Sequence, residues 1–128
     1  MRELVLKKIV AAVAQGGFKK NDMLVVDDNG QRVSYREDHH KPWAGVPVER
    51  YTYRAKMDDP TLFKALRRMI ATAQEEGYKR FAFYANGSVF HFHAFTVTTN
   101  SNEAKKAAGE MRQENVFSLY ENVNVVAL

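Results

Sequence analysis

Two hydrophobic periods alternate along the chain, and the switches between them mark its elements. Val5, Leu6, Ile9, Val10 and Val13 recur at helical spacing with Lys8, Ala11 and Gln15 opposite, and Gly16-Gly17 follow as a stop, so a first helix is predicted. Residues 23–26 and 31–35 are β-rich runs around Asn29-Gly30, a pair suited to the positive φ angles of a tight turn, and read as a hairpin. Residues 37–47 hold two prolines, a glycine and no period, which makes them a loop carrying His39, His40 and Trp43. A tryptophan between prolines commonly plugs such a loop onto the core; beside His39, His40 and Lys41 it could instead rim a partner site.

Residues 48–56 read as a strand. Asp59 and Pro60 then open a helix whose stripe is Leu62, Phe63, Leu66, Met69, Ile70 and Ala73, with Gly77 as its stop. Residues 80–85 and 88–98 alternate with period two and flank Asn86-Gly87, so they read as a second hairpin. Ala104, Ala107, Ala108 and Met111 predict a third helix from near Glu103, and residues 117–126 a closing strand. The expected class is α+β: a ferredoxin-like β-α-β-β-α-β antiparallel sheet over about 48–128, preceded by a helix and hairpin (1–36) and a loop (37–47), within one domain. A single larger mixed sheet extended by the hairpin is the alternative.

A two-residue turn at Asn86-Gly87 would place Phe83 opposite Phe90, Phe81 opposite Phe92, Ala82 opposite His91 and Arg80 opposite His93. Opposed residues share a face, so the four phenylalanines fall together beneath the helices starting near Pro60 and Glu103. Tyr51, Tyr53 and Ala55, and Phe117, Leu119, Val123 and Val125, extend that core side by parity. The other face then collects Arg50, Thr52 and Arg54, Arg80 and Tyr84, His91, His93 and Phe95, and Tyr120, Asn122 and Asn124.

Arginines mixed with flat rings suit phosphate pairing and base stacking, with Arg50, Arg54 and Arg80 holding phosphate while Tyr84, Phe95 and Tyr120 stack. The same residues suit a sheet-to-sheet dimer, or a face covered by the first helix and hairpin. Nineteen Lys+Arg against fifteen Asp+Glu, a net charge of +4, favour anionic partners without naming one. The absence of cysteine excludes disulfides, thiolate zinc and cysteine catalysis. Lys7 and Lys8 interrupt the apolar N-terminal run, so a cytoplasmic protein is expected rather than a secreted one. Residues 81–102 lack charge but alternate with period two and include histidines, which argues against a membrane span.

His91-Phe92-His93 could share a divalent ion, although a third ligand is needed and Arg80 nearby would oppose a cation. This histidine-hydrophobic-histidine pair on a central strand resembles the motif of HUH endonucleases, which nick single-stranded DNA with a tyrosine, and Arg50-Tyr51-Thr52-Tyr53 is loosely similar to the aromatic first strand of their initiator branch. The resemblance implies His91 and His93 as metal ligands and Tyr120 or Tyr84 as nucleophile. It covers about ten residues; no tyrosine lies in the helix after the histidines. RNA-recognition modules are similar in topology alone, because residues 88–98 lack their glycine-containing signature.

The residues favour a non-enzymatic binding or regulatory module, needing no cofactor, for single-stranded nucleic acid or a phosphate-bearing ligand such as a nucleotide. The alternatives are a homo-oligomeric interaction or inhibitor protein, of the kind phages and mobile elements carry, and a metal-dependent HUH-like nickase.

Overall fold

Leu6, Ile9 and Val13 on one helix and Leu62, Leu66, Ile70 and Ala73 on another form buried stripes that meet the same sheet face. The computed structural model describes residues 1–15, 23–45, 51–110, 115–121 and 123–126. Among them are helices α1 (Glu3–Ala14), α2 (Leu62–Glu75) and α3 (Ser101–Glu110). The strands are β1 (Leu24–Val26), β2 (Trp43–Ala44), β3 (Thr52–Lys56), β4 (Arg80–Asn86), β5 (Val89–Phe95), β6 (Val97–Thr98), β7 (Asn115–Ser118) and β8 (Val123–Val126). The Gly16-Gly17 stop, residues 48–50 with Arg50, Met111 and Asn122 lie outside the described residues. None of these helices is long and apolar enough to cross a membrane.

The strands form two antiparallel four-stranded sheets, ordered β1-β4-β5-β3 and β6-β2-β7-β8. A ferredoxin-like sheet would set the last strand beside β3. Residues 117–126 instead break at a turn over residues 119–121 and become part of the β7-β8 hairpin in the second sheet. The long strand predicted for 88–98 divides at Thr96, so that β5 belongs to one sheet and β6 to the other. The N-terminal strand β1 takes the position beside β4, pairing Leu24 with Phe83 and Val26 with Phe81. The loop predicted at 37–47 contributes β2, whose half-buried Trp43 packs on Ala104 and Ala108 of α3. The tryptophan thus serves as a plug, and α3 covers the second sheet rather than the phenylalanines.

Phe81, Phe83, Phe90 and Phe92 are fully buried, under α1 and α2. Their shared face follows from parity, but the register differs from the predicted one by two residues: Phe83 faces Phe92, Phe90 faces Ala85 and Phe81 faces Ala94. The loop is Gly87-Ser88, and Gly87 alone supplies the positive φ of +60°. A turn centred on Asn86-Gly87 would require positive φ at Asn86 as well, whereas this turn confines it to glycine and adds an Asn86-Val89 rung. The shift also sets Phe81 and Phe90 against alanines and leaves Phe83 opposite Phe92, with those two ring centroids 5.4 Å apart.

The helix starts differ from one another. Asp59, expected as the cap of α2, instead closes a turn ahead of it: it accepts from the Thr61 N–H (2.8 Å) and hydroxyl (2.7 Å), which holds its carboxyl below the usual range, while Thr61 takes the N-cap position without a side-chain cap bond and the helix starts at Leu62. Asn100 caps α3 by accepting from the Glu103 N–H at 3.1 Å. The first hairpin survives as a turn in which Asp27 N–H donates to Gln31 C=O (2.9 Å), Gly30 lies at φ +85°, and one bridge joins Val26 to Arg32.

Phe90→Ala is expected to lower the unfolding free energy by about 3 to 5 kcal/mol, because the ring is wholly buried between helices and sheet. Urea unfolding of the two proteins measures it, and a loss below about 1 kcal/mol would mean that the ring is not packed there.

Candidate functional site

Alternation along β3, β4 and β5 sends Thr52, Arg54 and Lys56, Ala82 and Tyr84, and His91 and His93 to the face opposite the phenylalanines. The face has two halves. Toward β1 it is covered: Val25, Ala82 and Phe95 form a second core with Ala44, Phe117 and Leu119 of the other sheet. Toward the Gly87-Ser88 turn it carries cross-strand rows, Arg54-His91-Tyr84 and then Lys56-Val89-Asn86, in which Arg54, Lys56 and Asn86 are exposed.

Between these halves lies a buried polar joint. His93 is 7 % exposed, with Thr52 across one side and Ala82 across the other. Its Nδ1 is 2.8 Å from Thr52 Oγ1 and its Nε2 is 3.3 Å from the Tyr84 hydroxyl. In the neutral ring one of these nitrogens donates and the other accepts. Burial first, then the neighbouring His91 and Arg54, pulls the His93 pKa down to about 4. Tyr84 stacks parallel on His91 at 4.5 Å and more loosely on His93 at 5.5 Å.

His91 is half-buried, and its Nδ1 is enclosed with no hydrogen-bond partner among the described residues. An imidazolium would need an acceptor at that nitrogen, so the neutral ring with its proton on Nε2 fits best. Burial and then Arg54 lower its pKa in the same direction. Both histidines are therefore uncharged near neutral pH, and Arg54 supplies the permanent charge of its row.

Only part of the expected constellation meets here. Arg54, Tyr84, His91 and His93 cluster as expected. Arg80 faces Phe95 rather than His93, and its Nε donates to the Tyr35 hydroxyl (2.9 Å) while a terminal nitrogen donates to Lys79 C=O (2.9 Å), so it anchors the loop after β1. Phe95 is 2 % exposed within the second core and offers no stacking surface. Tyr120 lies in the β7-β8 turn, where the Lys41 ammonium sits 5.5 Å from its ring centroid. Arg50 lies outside the described residues.

Lys56 and Thr52 were absent from or peripheral to the sequence-based candidates, although alternation with Arg54 places both on this face. The described residues contain no group of three histidine, aspartate or glutamate side chains able to hold a metal ion. The His93 nitrogens are hydrogen-bonded to Thr52 and Tyr84, and no third metal-ligating side chain joins His91 and His93 among the described residues. No protein-family model, curated protein or solved structure matches this chain, and its chemistry rests on its own geometry.

The buried neutral His93 predicts an acid-sensitive fold. The unfolded ring titrates near 6.5 and the folded one near 4, so the unfolded chain binds the extra proton between those values. Stability is full above pH 6.5 and falls as pH drops toward 4, by about 3 kcal/mol from this group. Urea unfolding at several pH values should show a shallower acid loss for His93→Gln than for the wild type. Equal losses would show that the ring titrates normally.

Proposed function

We propose that the uncovered half of the first sheet is a non-enzymatic binding surface for a phosphate-bearing ligand, with Arg54 as its anchor. The observation that carries this is the row Arg54-His91-Tyr84, which sets the exposed Arg54 directly across from a neutral histidine on a central strand. Arg54 has no ion-pair partner among the described residues. Its planar fork matches two phosphate oxygens, and a His91 ring N–H at Nε2 would be a further donor that needs no change of protonation. Lys56, two residues along the same strand and about 7 Å away, adds a second cation.

The patch suits one phosphate group better than a long strand of nucleic acid. Arg80 is held by the Tyr35 hydroxyl, Phe95 is core, and Tyr120 lies in the β7-β8 turn, so the extended alternation of cations and stacking rings is interrupted. Tyr84 has one ring face against His91. A nucleotide or a terminal phosphate therefore fits this surface more naturally than a polymer tracking across it. Among the residues whose side chains the structure describes, the large apolar ones exposed are Leu4 and Val97, and neither lies in the rows of Arg54 and Lys56, which favours a polar ligand over a second copy of the chain on this face.

Isotherms for adenosine monophosphate and for a single-stranded oligonucleotide, each over a salt series, test the proposal. Arg54→Gln should weaken nucleotide binding by about tenfold or more, while Arg80→Gln leaves it unchanged. The oligonucleotide should show a salt slope close to that of the nucleotide, made shallower by about 0.7 in Arg54→Gln. An absence of binding by either ligand at low salt, or equal binding by Arg54→Gln, would overturn the assignment.

A further inference from the structure

β3 ends the first sheet, and the hydrogen-bond pattern shows which of its backbone groups face outward. Met57 N–H donates to Ser88 C=O at 2.8 Å, in the same register that pairs Ala55 with Phe90 and Tyr53 with Phe92. In an antiparallel ladder, hydrogen-bonded and non-hydrogen-bonded pairs alternate. Tyr53 and Ala55 are thus bonded to β5, whereas Arg54 and Lys56 turn their peptide groups away from it. The Lys56 C=O is taken by the Asp59 N–H at 3.0 Å. The Arg54 N–H and C=O and the Lys56 N–H meet no partner among the described residues.

Side chains add chemistry to this edge. Arg54 and Lys56 are exposed on one face, and Tyr53 and Ala55, half-buried, extend the helix-covered core on the other. Asp59 is engaged by Thr61, and Asp58 lies past the strand end. A second copy of β3 would bring like charges together across the new ladder. An added strand with carboxylates on one face would pair with Arg54 and Lys56, and apolar side chains between them would lie beside Tyr53 and Ala55.

We propose that the outer edge of β3 accepts, as an added antiparallel strand, an extended peptide segment of a partner protein that alternates acidic and apolar residues. This edge offers its backbone groups whether or not the neighbouring face binds phosphate, but a bound phosphate would compete for the Arg54 and Lys56 side chains, so the experiment is run without phosphate or nucleotide.

The probe is a synthetic peptide, Thr-Val-Glu-Val-Glu-Val-Thr, added to the full-length protein. Amide hydrogen exchange at Arg54 and Lys56 should be fast in the free protein and slow about tenfold or more when the peptide is present. Methylating the backbone nitrogen of the glutamate placed opposite Arg54 should weaken binding by about tenfold, since that N–H bonds the Arg54 carbonyl. The double variant Arg54→Glu/Lys56→Glu should lose the acidic peptide and gain its lysine counterpart. Slow exchange of both amides in the free monomer would mean that the edge is already covered. Protection that rises with protein concentration alone would assign the edge to a second copy. Undiminished binding of the methylated peptide would reduce the contact to charge attraction. Each of these three results overturns the proposal.

Discussion

Phe81 and Phe83 on one strand and Phe90 and Phe92 on the next must all face the helices, and this requirement organises the first sheet. Each ring contributes about 2 to 3 kcal/mol through burial alone, so a hairpin of the wrong parity would expose four of them to water. Parity is consequently rigid while register is not. A shift by two residues keeps every ring inside, and the turn settles on Gly87-Ser88 because one glycine then carries the only positive φ. The same constraint sends Tyr84, His91 and His93 to the opposite face whichever register is adopted.

What becomes of that opposite face is decided by the second sheet. The chain leaves the first sheet at Thr96, and β2, β6 and the β7-β8 hairpin assemble into a layer that takes Val25, Ala82 and Phe95 into its own core. Polar side chains at the boundary must either be satisfied or remain neutral. His93 does both, held between Thr52 and Tyr84 with a pKa near 4. Tyr84 and His91 form the rim of this joint, and beyond it Arg54 and Lys56 reach solvent. The candidate surface is thus the remainder of a face whose other half is core, which explains why it is compact and why its charge lies on the edge strand.

The three helices, the β4-β5 hairpin apart from its register, and the inward direction of the phenylalanines were legible in the sequence, because period and parity are local properties that burial enforces. So was the grouping of Arg54 with Tyr84, His91 and His93, which needs nothing beyond alternation within neighbouring strands. Tertiary structure alone decided that β1 occupies the position beside β4, that α1 rather than α3 covers the rings, and that β6, β7 and β8 join β2 in a separate sheet. These outcomes depend on which apolar surfaces meet across long sequence separations, where several pairings satisfy the same pattern of polar and apolar positions. Phe95, Arg80 and Tyr120 show the consequence. Strand position and parity placed all three on one face, yet Phe95 is core, Arg80 braces a loop and Tyr120 sits in the turn between two strands of the other sheet, because a face is open only where no other layer of the fold has been packed against it.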